Sequence, residues 1–394
     1  MIFTSLLNNE LRSRLIALRR DLHRHPELSL QENRTAQKLY DELQRLKPVE
    51  IRRVAGTGVI ARIRGKDPGA PVVALRGDID ALPILEATGL EFTSKNPGVM
   101  HACGHDAHAT WTVGAACLLA ERPAAGDVLI ILQPAEEIGK GARAILKTGV
   151  LDSVAAIFGA HVDSRHLVGE VVAQEGPLAA SSDTFEIALL GQGAHGARPH
   201  ESADPIVCAA GIISALQTIV ARRLNPADAG VVTVGSIHGG SAPNIIPETV
   251  ELKGTIRAVD TGTRRLLQEE VKRIVKHTAS AHKVKAKVTI HSGTPPIVNP
   301  PQPVSWARDA VANMLGEEAI VPLGMLNMAG EDFACYLEKM PGCFLRIGVR
   351  EPGGEVIPAH SPQFCVAEEC IFVGAAVLAE TARVASETLA KQNP

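Results

Sequence analysis

The sequence is poor in aromatic residues and nearly balanced in charge. Phe, Trp and Tyr make up 3% of its 394 residues, and the formal net charge is −3 at pH 7. Proteins that bind nucleic acids usually carry clusters of Lys and Arg, together with aromatic side chains on which bases stack. Since the sequence has no basic cluster and few aromatic residues, we expect no nucleic-acid partner.

Cysteine is scarce as well, and its seven residues are odd in number and lack paired spacing. Several of them, such as Cys117, Cys208 and Cys370, lie in apolar stretches with a helical pattern, where a thiol packs as a small core side chain. Intracellular proteins keep their thiols reduced, whereas small secreted domains depend on disulfides. The cysteine pattern therefore favours a cytoplasmic protein.

Long apolar runs are also missing. The N-terminal segment, residues 1–15, has neither the basic leader nor the apolar run of a signal peptide. The longest helix candidate without a charge spans residues 205–221 and is shorter than the roughly 20 residues needed to cross a bilayer. We expect this segment to be a packed helix and the protein to have no membrane partner.

Apolar residues are nevertheless plentiful, at 45% of a chain longer than one hydrophobic core usually serves. We therefore expect two domains. The first part of the chain predicts an α/β arrangement. Its predicted elements are a helix over residues 10–46, strands at 49–54, 58–64 and 71–76, a helix at 108–121, and strands near 128–132 and 154–160.

The hydrophobic pattern changes at about residue 183. Four later segments alternate between apolar and polar residues, as half-exposed antiparallel strands do: DTFEIALLG, GVVTVGSIHGG, TVELKGTIRAV and KVKAKVTIH. Two predicted helices, at 204–222 and 261–281, lie between them. This order predicts a compact α+β domain, a four-stranded antiparallel sheet with two helices on one face.

The segment MHACGHDAH concentrates candidate metal ligands. It places His101, Cys103, His105, Asp106 and His108 within eight positions, directly before an apolar helical stretch. Imidazole, thiolate and carboxylate are the side chains that bind divalent transition metals. One of these histidines alone would be an ordinary surface or helix-start residue, but five potential ligands at this spacing indicate a metal site.

More candidate ligands follow apolar runs elsewhere or lie in a loop between two prolines. They are Asp78, Asp80, Glu136, Glu137, His161, Asp163 and His360. In an open α/β sheet, sites form outside the carboxyl ends of the strands. Taken singly, each residue fits a helix cap, a turn or a solvated charge, but their repetition after apolar runs favours a shared site.

The adjacent pair Glu136 and Glu137 has two interpretations. Neighbouring carboxylates repel, so a half-buried pair needs a cation or a proton. A metal would bind one carboxylate and free the other to act as a general base. Alternatively, the pair begins the helix predicted from GKGARAILKTG, because acidic residues favour the first turn.

One motif is rejected. GQGAHG, at residues 191–196, matches the glycine pattern of dinucleotide-binding loops and follows a predicted strand. The next residues, ARPHESADP, do not open a helix, and no acidic residue ends a second parallel strand at the required distance. We interpret the segment as a glycine-rich turn that exposes His195 and His200.

Taken together, these motifs resemble one enzyme group. The sequence is similar to the aminoacylase, hippurate hydrolase and auxin-conjugate hydrolase group of co-catalytic metallopeptidases, peptidase family M20, subfamily D. The matching segments run in family order from about residue 20 to residue 365. They are DLHRHPELS, ALRGDIDALP, MHACGHDAHA, LQPAEEIGKGA, GAHV, GQGAHGARPH, GGSAPNIIPETVELKGTIR, AGEDFACYL and AHSPQF.

The resemblance implies roles for individual residues. It implies two divalent metal ions per subunit, Zn or Mn first and Co or Ni as alternatives, with Glu136 as catalytic base and Asp80 as a residue that orients a ligand. Wider relatives carry a metal-binding His at the position of Asp78 and a bridging Asp near Cys103. The implied metal ligands are Cys103, His105, Glu137, His161 and His360.

The resemblance also implies the domain organisation. His360 follows the inserted segment while the other ligands precede it, so residues 1–183 and 295–394 are expected to form one discontinuous metal-binding catalytic domain. Residues 184–294 would be an inserted lid and dimerisation domain. In relatives this domain lends His, Asn and Arg side chains to the active site of a partner subunit, which implies a homodimer with His195, Asn244 and Arg257 in these roles.

The implied reaction is hydrolysis of an N-acyl amino acid to a carboxylic acid and a free amino acid. Two metals would share a water and lower its pKa toward about 7. Glu136 would take its proton, the hydroxide would attack the amide carbon, and a metal and His195 would stabilise the oxyanion. Two alternatives stay open: the same site acting on dipeptides, carbamoyl amides or aromatic amines, and an idle scaffold or binding protein.

Overall fold

A computed structural model describes residues 6–392, so the first five residues of the segment tested for a signal peptide lie outside the described part. The chain divides into two compact units. The first comprises the residues through Gly176, Asn299–Met325 and the residues from Asp332 onward. The second comprises Pro177–Val298 and Leu326–Glu331.

The first unit is built on a seven-stranded mixed sheet. The strands are β1 Glu50–Val54, β2 Gly58–Ile63, β3 Val72–Asp78, β4 Val128–Gln133, β5 Val154–Leu167, β6 Val171–Val172 and β15 Gly342–Arg350. Their order in the sheet is β1-β2-β4-β3-β5-β15-β6. The four central strands β4, β3, β5 and β15 run parallel to one another, while the pairs β1–β2, β2–β4 and β15–β6 are antiparallel.

Helices complete this unit. They are α1 Asn9–Arg24, α2 Asn33–Gln44, α3 His105–Glu121, α4 Gly141–Leu146, α7 Pro301–Leu315, α8 Ala334–Leu337 and α9 Cys370–Gln392, with a short 3₁₀ turn at Glu317–Ala319. Helix α3 is buried on nearly all sides, whereas α1 buries one leucine-rich face. An all-round apolar helix belongs in a protein interior, so α3 is the central helix of this core.

The second unit contains a four-stranded antiparallel sheet and two long helices, as the sequence predicts. The elements are β8 Ser182–Leu190, α5 Pro205–Arg222, β10 Gly230–Gly239, β12 Thr249–Ala258, α6 Thr261–Ala281 and β13 Lys285–Thr294. The strand order in the sheet is β10-β12-β8-β13. Two-stranded sheets join β9 Ala194–His195 to β11 Ile245–Ile246, and β7 Gly176–Ala179 to β14 Ile297–Asn299; a 3₁₀ turn covers Pro199–Glu201.

Helix α5 is the candidate packed helix. One face, including Cys208, Ile212 and Leu216, is buried against the core of its unit, whereas Ile206 and Val207 on the other face are exposed. By length and composition alone, α5 is the one helix among the described residues that could cross a membrane. One third of it is buried within the chain.

The predicted helix over residues 10–46 is wrong in one respect, because two helices occupy this range. Helix α1 ends at Arg24, and α2 begins at Asn33. Pro26 explains the break, since proline disfavours helical backbone in the residue before it. Leu30, in the connecting segment, adopts a positive φ of 67°.

Three predicted boundaries near the candidate ligands also need correction. Strand β5 extends to Leu167, so His161 and Asp163 lie within the strand and not after it. Its pairing with β15 continues as far as Leu167 opposite Arg350, which explains the greater length. Asp78 is likewise the last residue of β3, and α3 begins at His105 and not at residue 108.

Candidate metal centre

Gly104 shapes the loop that carries the first two candidate ligands. It precedes helix α3 with a φ of 81°, a left-handed conformation that glycine adopts without strain. A Cβ atom at this position would lie 2.7 Å from Val162 Cγ2 of strand β5. Glycine therefore permits both the sharp turn and the close approach to β5, which brings Cys103 and His105 to the sheet.

All five predicted ligands come together in overlapping groups. Ligand atoms within 4.8 Å of one another define each of three groups: Cys103 with His105 and His161, Cys103 with Glu137 and His360, and His105 with Glu136 and Glu137. Cys103 belongs to two of these groups, so its sulfur lies where two adjacent sites would meet. Thiolate, imidazole and carboxylate donors suit a transition metal such as Zn²⁺.

His161 has the hydrogen bonding expected of a metal-binding imidazole. Its Nδ1 lies 2.7 Å from the Val162 carbonyl oxygen and so donates its proton there. The lone pair on Nε2 then faces Cys103 Sγ, 3.3 Å away. Burial, together with Arg346, lowers the pKa of His161 well below its usual value, so the ring is neutral. Burial also lowers the pKa of His360. A metal binds the neutral form of imidazole.

Asp80 supports both the glutamate pair and His105. Its two carboxylate oxygens accept the backbone N–H groups of Glu136 and Glu137, each at 3.1 Å. One of these oxygens also lies 3.3 Å from His105 Nδ1, on the side of the ring away from the ligand groups. A carboxylate behind a histidine ring fixes its orientation and raises its basicity as a ligand. This geometry fits the orienting role predicted for Asp80.

The charges in the cluster suit a bound cation. Burial raises the pKa of Glu137 to about 7, and burial together with Glu137 raises that of the Cys103 thiol. Two buried atoms, His105 Nε2 and Glu137 Oε1, have no hydrogen-bond partner within the described chain, and they lie 3.7 Å apart. A divalent cation would stabilise the thiolate and the carboxylate and would occupy these unpaired atoms.

The other three candidates from MHACGHDAH lie outside the ligand groups that contain Cys103. His108 Nδ1 lies 2.6 Å from Asp78, and its Nε2 accepts the Val162 N–H at 3.0 Å, so neither nitrogen is available as a ligand. Asp106 accepts hydrogen bonds from Arg19 and from His23. His101 is buried and belongs to none of the groups that contain Cys103. Only two of the five residues therefore join the cluster.

Two further predicted acids also have other partners. Asp78 is fully buried and pairs with Arg76 and His108. Burial opposes ionisation of Asp78, but Arg76 and the histidines hold its pKa well below the usual value. Its nearest approach to His105 Nε2 is 3.8 Å. Asp163 forms a two-point ion pair with Arg165. We infer that Asp78 orients His108 and that Asp163 lies outside the cluster.

The predicted substrate-binding residues lie in the second unit. His195 is exposed on β9, and its Nδ1 accepts the Ala197 N–H at 3.1 Å, which leaves Nε2 free of that bond. The Asn244 carbonyl accepts the Gly196 N–H at 2.8 Å, so His195 and Asn244 lie on adjoining turns. Arg257 is on β12 opposite Val231, with a buried Nη1 that lacks a hydrogen-bond partner among the described residues.

Two acids beside the cluster were not assigned from the sequence. Asp332 accepts hydrogen bonds from Arg76, Gln133 and the Ala142 N–H, and its own N–H lies 3.3 Å from Glu136 Oε1. Glu32 accepts a hydrogen bond from the N–H of Ala135, the residue before Glu136. Asp332 lies in the segment AGEDFACYL, which carries the family resemblance, whereas Glu32 has no local pattern around it that could have identified it.

Comparison with known proteins identifies the family of this chain. The family model described as Peptidase family M20/M25/M40 matches residues 74–384, and the chain belongs to this family. An N-acetyl-L-cysteine deacetylase of Bacillus subtilis (strain 168) is 42% identical over 376 residues, which are 95% of this chain and 88% of the relative. IAA-amino acid hydrolase ILR1-like 4 of Arabidopsis thaliana is 38% identical over 96% of this chain and 88% of its own length.

A solved structure is similar as well. The crystal structure of the Bacillus subtilis YXEP protein, described as a dinuclear metal-binding peptidase of family M20, superposes with a TM-score of 0.86. It is 38% identical, and the match covers 97% of this chain and 100% of that one. These similarities confirm the predicted family and fold class.

Proposed function

We propose that this protein is a metal-dependent amidohydrolase that cleaves N-acyl amino acids to a carboxylic acid and a free amino acid. The carrying observation is the set of ligand groups that overlap at Cys103, with Glu136 beside them. Support for the substrate class comes from relatives aligned over nearly the whole chain, one an N-acetyl-L-cysteine deacetylase and one an IAA-amino acid hydrolase.

Five residues would hold two divalent metal ions, Zn or Mn in the first instance: Cys103, His105, Glu137, His161 and His360. When bound, such ions polarise an amide carbonyl and lower the pKa of water. The two-metal stoichiometry is supported by the similarity to a dinuclear metal-binding peptidase. It is also supported by the unpaired buried atoms of His105 and Glu137.

Glu136 would act as the general base and then as the general acid. Its side chain is 9% exposed, so the carboxylate is shielded yet reachable. The Asp332 N–H bonds to one of its oxygens, while the other lies 3.9 Å from His105 Nε2, at the edge of the ligand groups. From this position Glu136 takes a proton from the attacking water and delivers it to the departing amine nitrogen. Positioned proton transfer typically contributes 10²–10⁴-fold to the rate.

The second unit would supply substrate-binding groups to a partner subunit of a homodimer. His195 would donate to the oxyanion, and Asn244 and Arg257 would bind the substrate carboxylate or the oxyanion. An arginine suits a carboxylate because its guanidinium offers two parallel donors. The unpaired buried Nη1 of Arg257 supports such a role.

A substrate panel tests the proposal. The purified protein, loaded separately with Zn²⁺ and Mn²⁺, should release amino acid from N-acetyl, N-benzoyl or indoleacetyl conjugates in a mass-spectrometric assay. Dipeptides, carbamoyl amides and aryl amides form the comparison set, and Glu136→Gln is the control for contaminating hydrolase. Faster turnover of the comparison set would replace the substrate class, and no turnover of either set would contradict the enzyme assignment.

A further inference from the structure

The turn that carries Glu136 is held through its backbone by two buried acids. Three successive N–H groups donate to them: that of Ala135 to Glu32 at 2.9 Å, and those of Glu136 and Glu137 to Asp80 at 3.1 Å each. Pro134, which precedes them, has no N–H to donate. Asp80 was predicted from the sequence, but Glu32, 103 residues before Ala135, was not.

Ala135 is the strained point of this turn. It is fully buried and adopts a φ of 55°, in the left-handed region that a non-glycine residue occupies only at a cost. Its carbonyl oxygen accepts the N–H groups of Lys140 and Gly141, at 3.2 and 3.1 Å. The N–H of Ala135 donates to the Glu32 carboxylate, so both backbone polar groups of this residue are hydrogen-bonded. The direction in which the chain leaves Ala135 determines where the Glu136 side chain begins.

Glu32 is itself fixed in place. Its side chain is buried at the start of helix α2, and the second carboxylate oxygen accepts the Thr57 hydroxyl at 2.6 Å. Burial raises the pKa of Glu32, although hydrogen bonds from Thr57 and from backbone amides partly offset this effect. A buried carboxylate is unfavourable unless hydrogen bonds satisfy it. One of the hydrogen bonds that Glu32 accepts comes from Ala135, the residue before the proposed general base.

We propose that Glu32 is a positioning residue for Glu136, acting through the backbone of Ala135; the inference rests on the proposed function. Without the Glu32 acceptor, the buried Ala135 N–H loses its partner and the left-handed conformation loses its support. The Glu136 carboxylate then shifts relative to the metal ligands. A displacement of about 1 Å at a reacting group costs on the order of 10²-fold in rate.

Two conservative substitutions separate positioning from a role of the charge. Glu32→Gln keeps the length of the side chain and an acceptor oxygen for the Ala135 N–H but removes the charge. Glu32→Asp keeps the charge but withdraws the acceptor by one methylene. Positioning by hydrogen bonding predicts that the Gln variant retains kcat within about threefold, while the Asp variant loses roughly 10–100-fold in kcat at unchanged KM.

The matched control is Glu42→Ala. Glu42 is a buried glutamate on the same helix α2, and it pairs with Arg14, away from the turn. This variant should lower thermal stability and leave kcat near the wild-type value. Metal content and melting temperature are measured for each variant together with kcat and KM for the N-acyl amino acid that the wild type hydrolyses fastest.

The opposite order of the Gln and Asp variants would overturn the proposal. A loss of kcat in Glu42→Ala as large as that in Glu32→Asp, at a similar melting temperature, would overturn it as well. Crystal structures of both Glu32 variants give a readout that needs no turnover. We expect Ala135 to leave the left-handed region, or Glu136 to move, in the Asp variant only. An unmoved turn in that variant contradicts the inference even if the wild type proves inactive on every N-acyl amino acid, which would separately refute the proposed function.

Discussion

At the scale of single residues, Cys103 and the two glutamates illustrate how neighbouring side chains can have separate tasks. The Cys103 thiol is shared by two ligand groups, and its pKa is raised by burial and by Glu137. It would therefore be protonated without a cation and a thiolate with one. The carboxylate oxygens of Glu137 lie 3.7 Å from His105 Nε2 and 3.6 Å from His360 Nε2. The nearer oxygen of Glu136 lies 3.9 Å from His105 Nε2.

Replacing Cys103 should remove metal. We expect Cys103→Ala to lower metal stoichiometry from two ions toward one or none and to abolish turnover, because no other group in the cluster belongs to both sites that it joins. Elemental analysis after gel filtration measures the stoichiometry. The control is Cys117→Ala, which removes a buried thiol on helix α3 that belongs to none of the ligand groups. Full metal content in the Cys103 variant, or full activity of wild type after exhaustive chelation, would contradict this role.

The glutamate pair gives a prediction with opposite outcomes at adjacent positions. Glu136→Gln should retain metal and fold while losing about 10²–10⁴-fold in kcat, the usual range for a general base. Glu137→Gln should instead weaken metal binding, and added metal should restore part of its activity. The measurements are kcat across a metal titration and metal content at equilibrium. Near-normal turnover by Glu136→Gln would assign the proton transfer to another group.

At the scale of secondary-structure elements, the second unit is tied together by one buried acid. Asp183, at the start of β8, accepts a two-point ion pair from Arg264 of α6, at 2.9 and 2.6 Å. Gln268 of α6 and the Gly293 N–H of β13 also donate to it. Burial opposes ionisation of Asp183, but these donors outweigh it and lower its pKa. One carboxylate therefore joins a central strand, an edge strand and a helix.

The stability that Asp183 contributes should depend on pH. Because its folded-state pKa lies below the unfolded value of about 3.9, the contribution is complete above that value and is lost as pH falls through the folded pKa. At pH 7, Asp183→Asn should lower the free energy of unfolding by about 3 kcal/mol, since it removes the buried carboxylate that pairs with Arg264. The difference from wild type should shrink below about pH 4. Denaturant titrations at several pH values measure both.

The control for this prediction is Glu186→Gln on the same strand. Glu186 is half exposed and lies 3.4 Å from Lys253, so the pair should contribute little. If Glu186→Gln destabilises the protein as much as Asp183→Asn, or if the effect of Asp183→Asn is constant from pH 7 to pH 3, the account of Asp183 is wrong.

The sequence predicted elements and ligands where a local pattern carries the information. Alternation located β8, β10, β12 and β13, and the spacing in MHACGHDAH pointed to the segment that carries two residues of the candidate metal cluster. Local spacing could not show which residues of that segment join the cluster, because partners remote in sequence determine which side chains are already hydrogen-bonded. Asp106 is taken by Arg19, 87 residues away, and His108 by Asp78, 30 residues away.

Glu32 is a residue whose role in the folded protein has no local sequence signal. Nothing in its neighbourhood distinguishes it from a solvated glutamate at a helix start, and its partner Ala135 becomes strained only in the folded turn. The prediction of a single helix over residues 10–46 has a simpler cause, because the leucines of α1 have helical spacing and the break at Pro26 depends on one residue. Residues whose role depends on a single long-range hydrogen bond carry no periodic signal.

At the scale of the whole molecule, the proposed active unit is a dimer in which each site uses residues of two chains. Glu136 would come from one chain and His195 from its partner. Symmetric pairing is the commonest way for identical chains to associate. The exposed apolar residues Ile206 and Val207 of helix α5 offer one surface for it.

A mixing experiment tests this arrangement. His195→Ala and Glu136→Ala should each be inactive alone, but a hybrid dimer contains one site with both residues intact. If the two proteins are unfolded and refolded together, half of the dimers should be hybrids with one good site of two, so about a quarter of wild-type activity should return. Each variant refolded alone is the control, and native mass spectrometry of differently tagged chains counts the hybrids. Activity no higher than the controls, with hybrids present, would place His195 in the site of its own chain or outside catalysis.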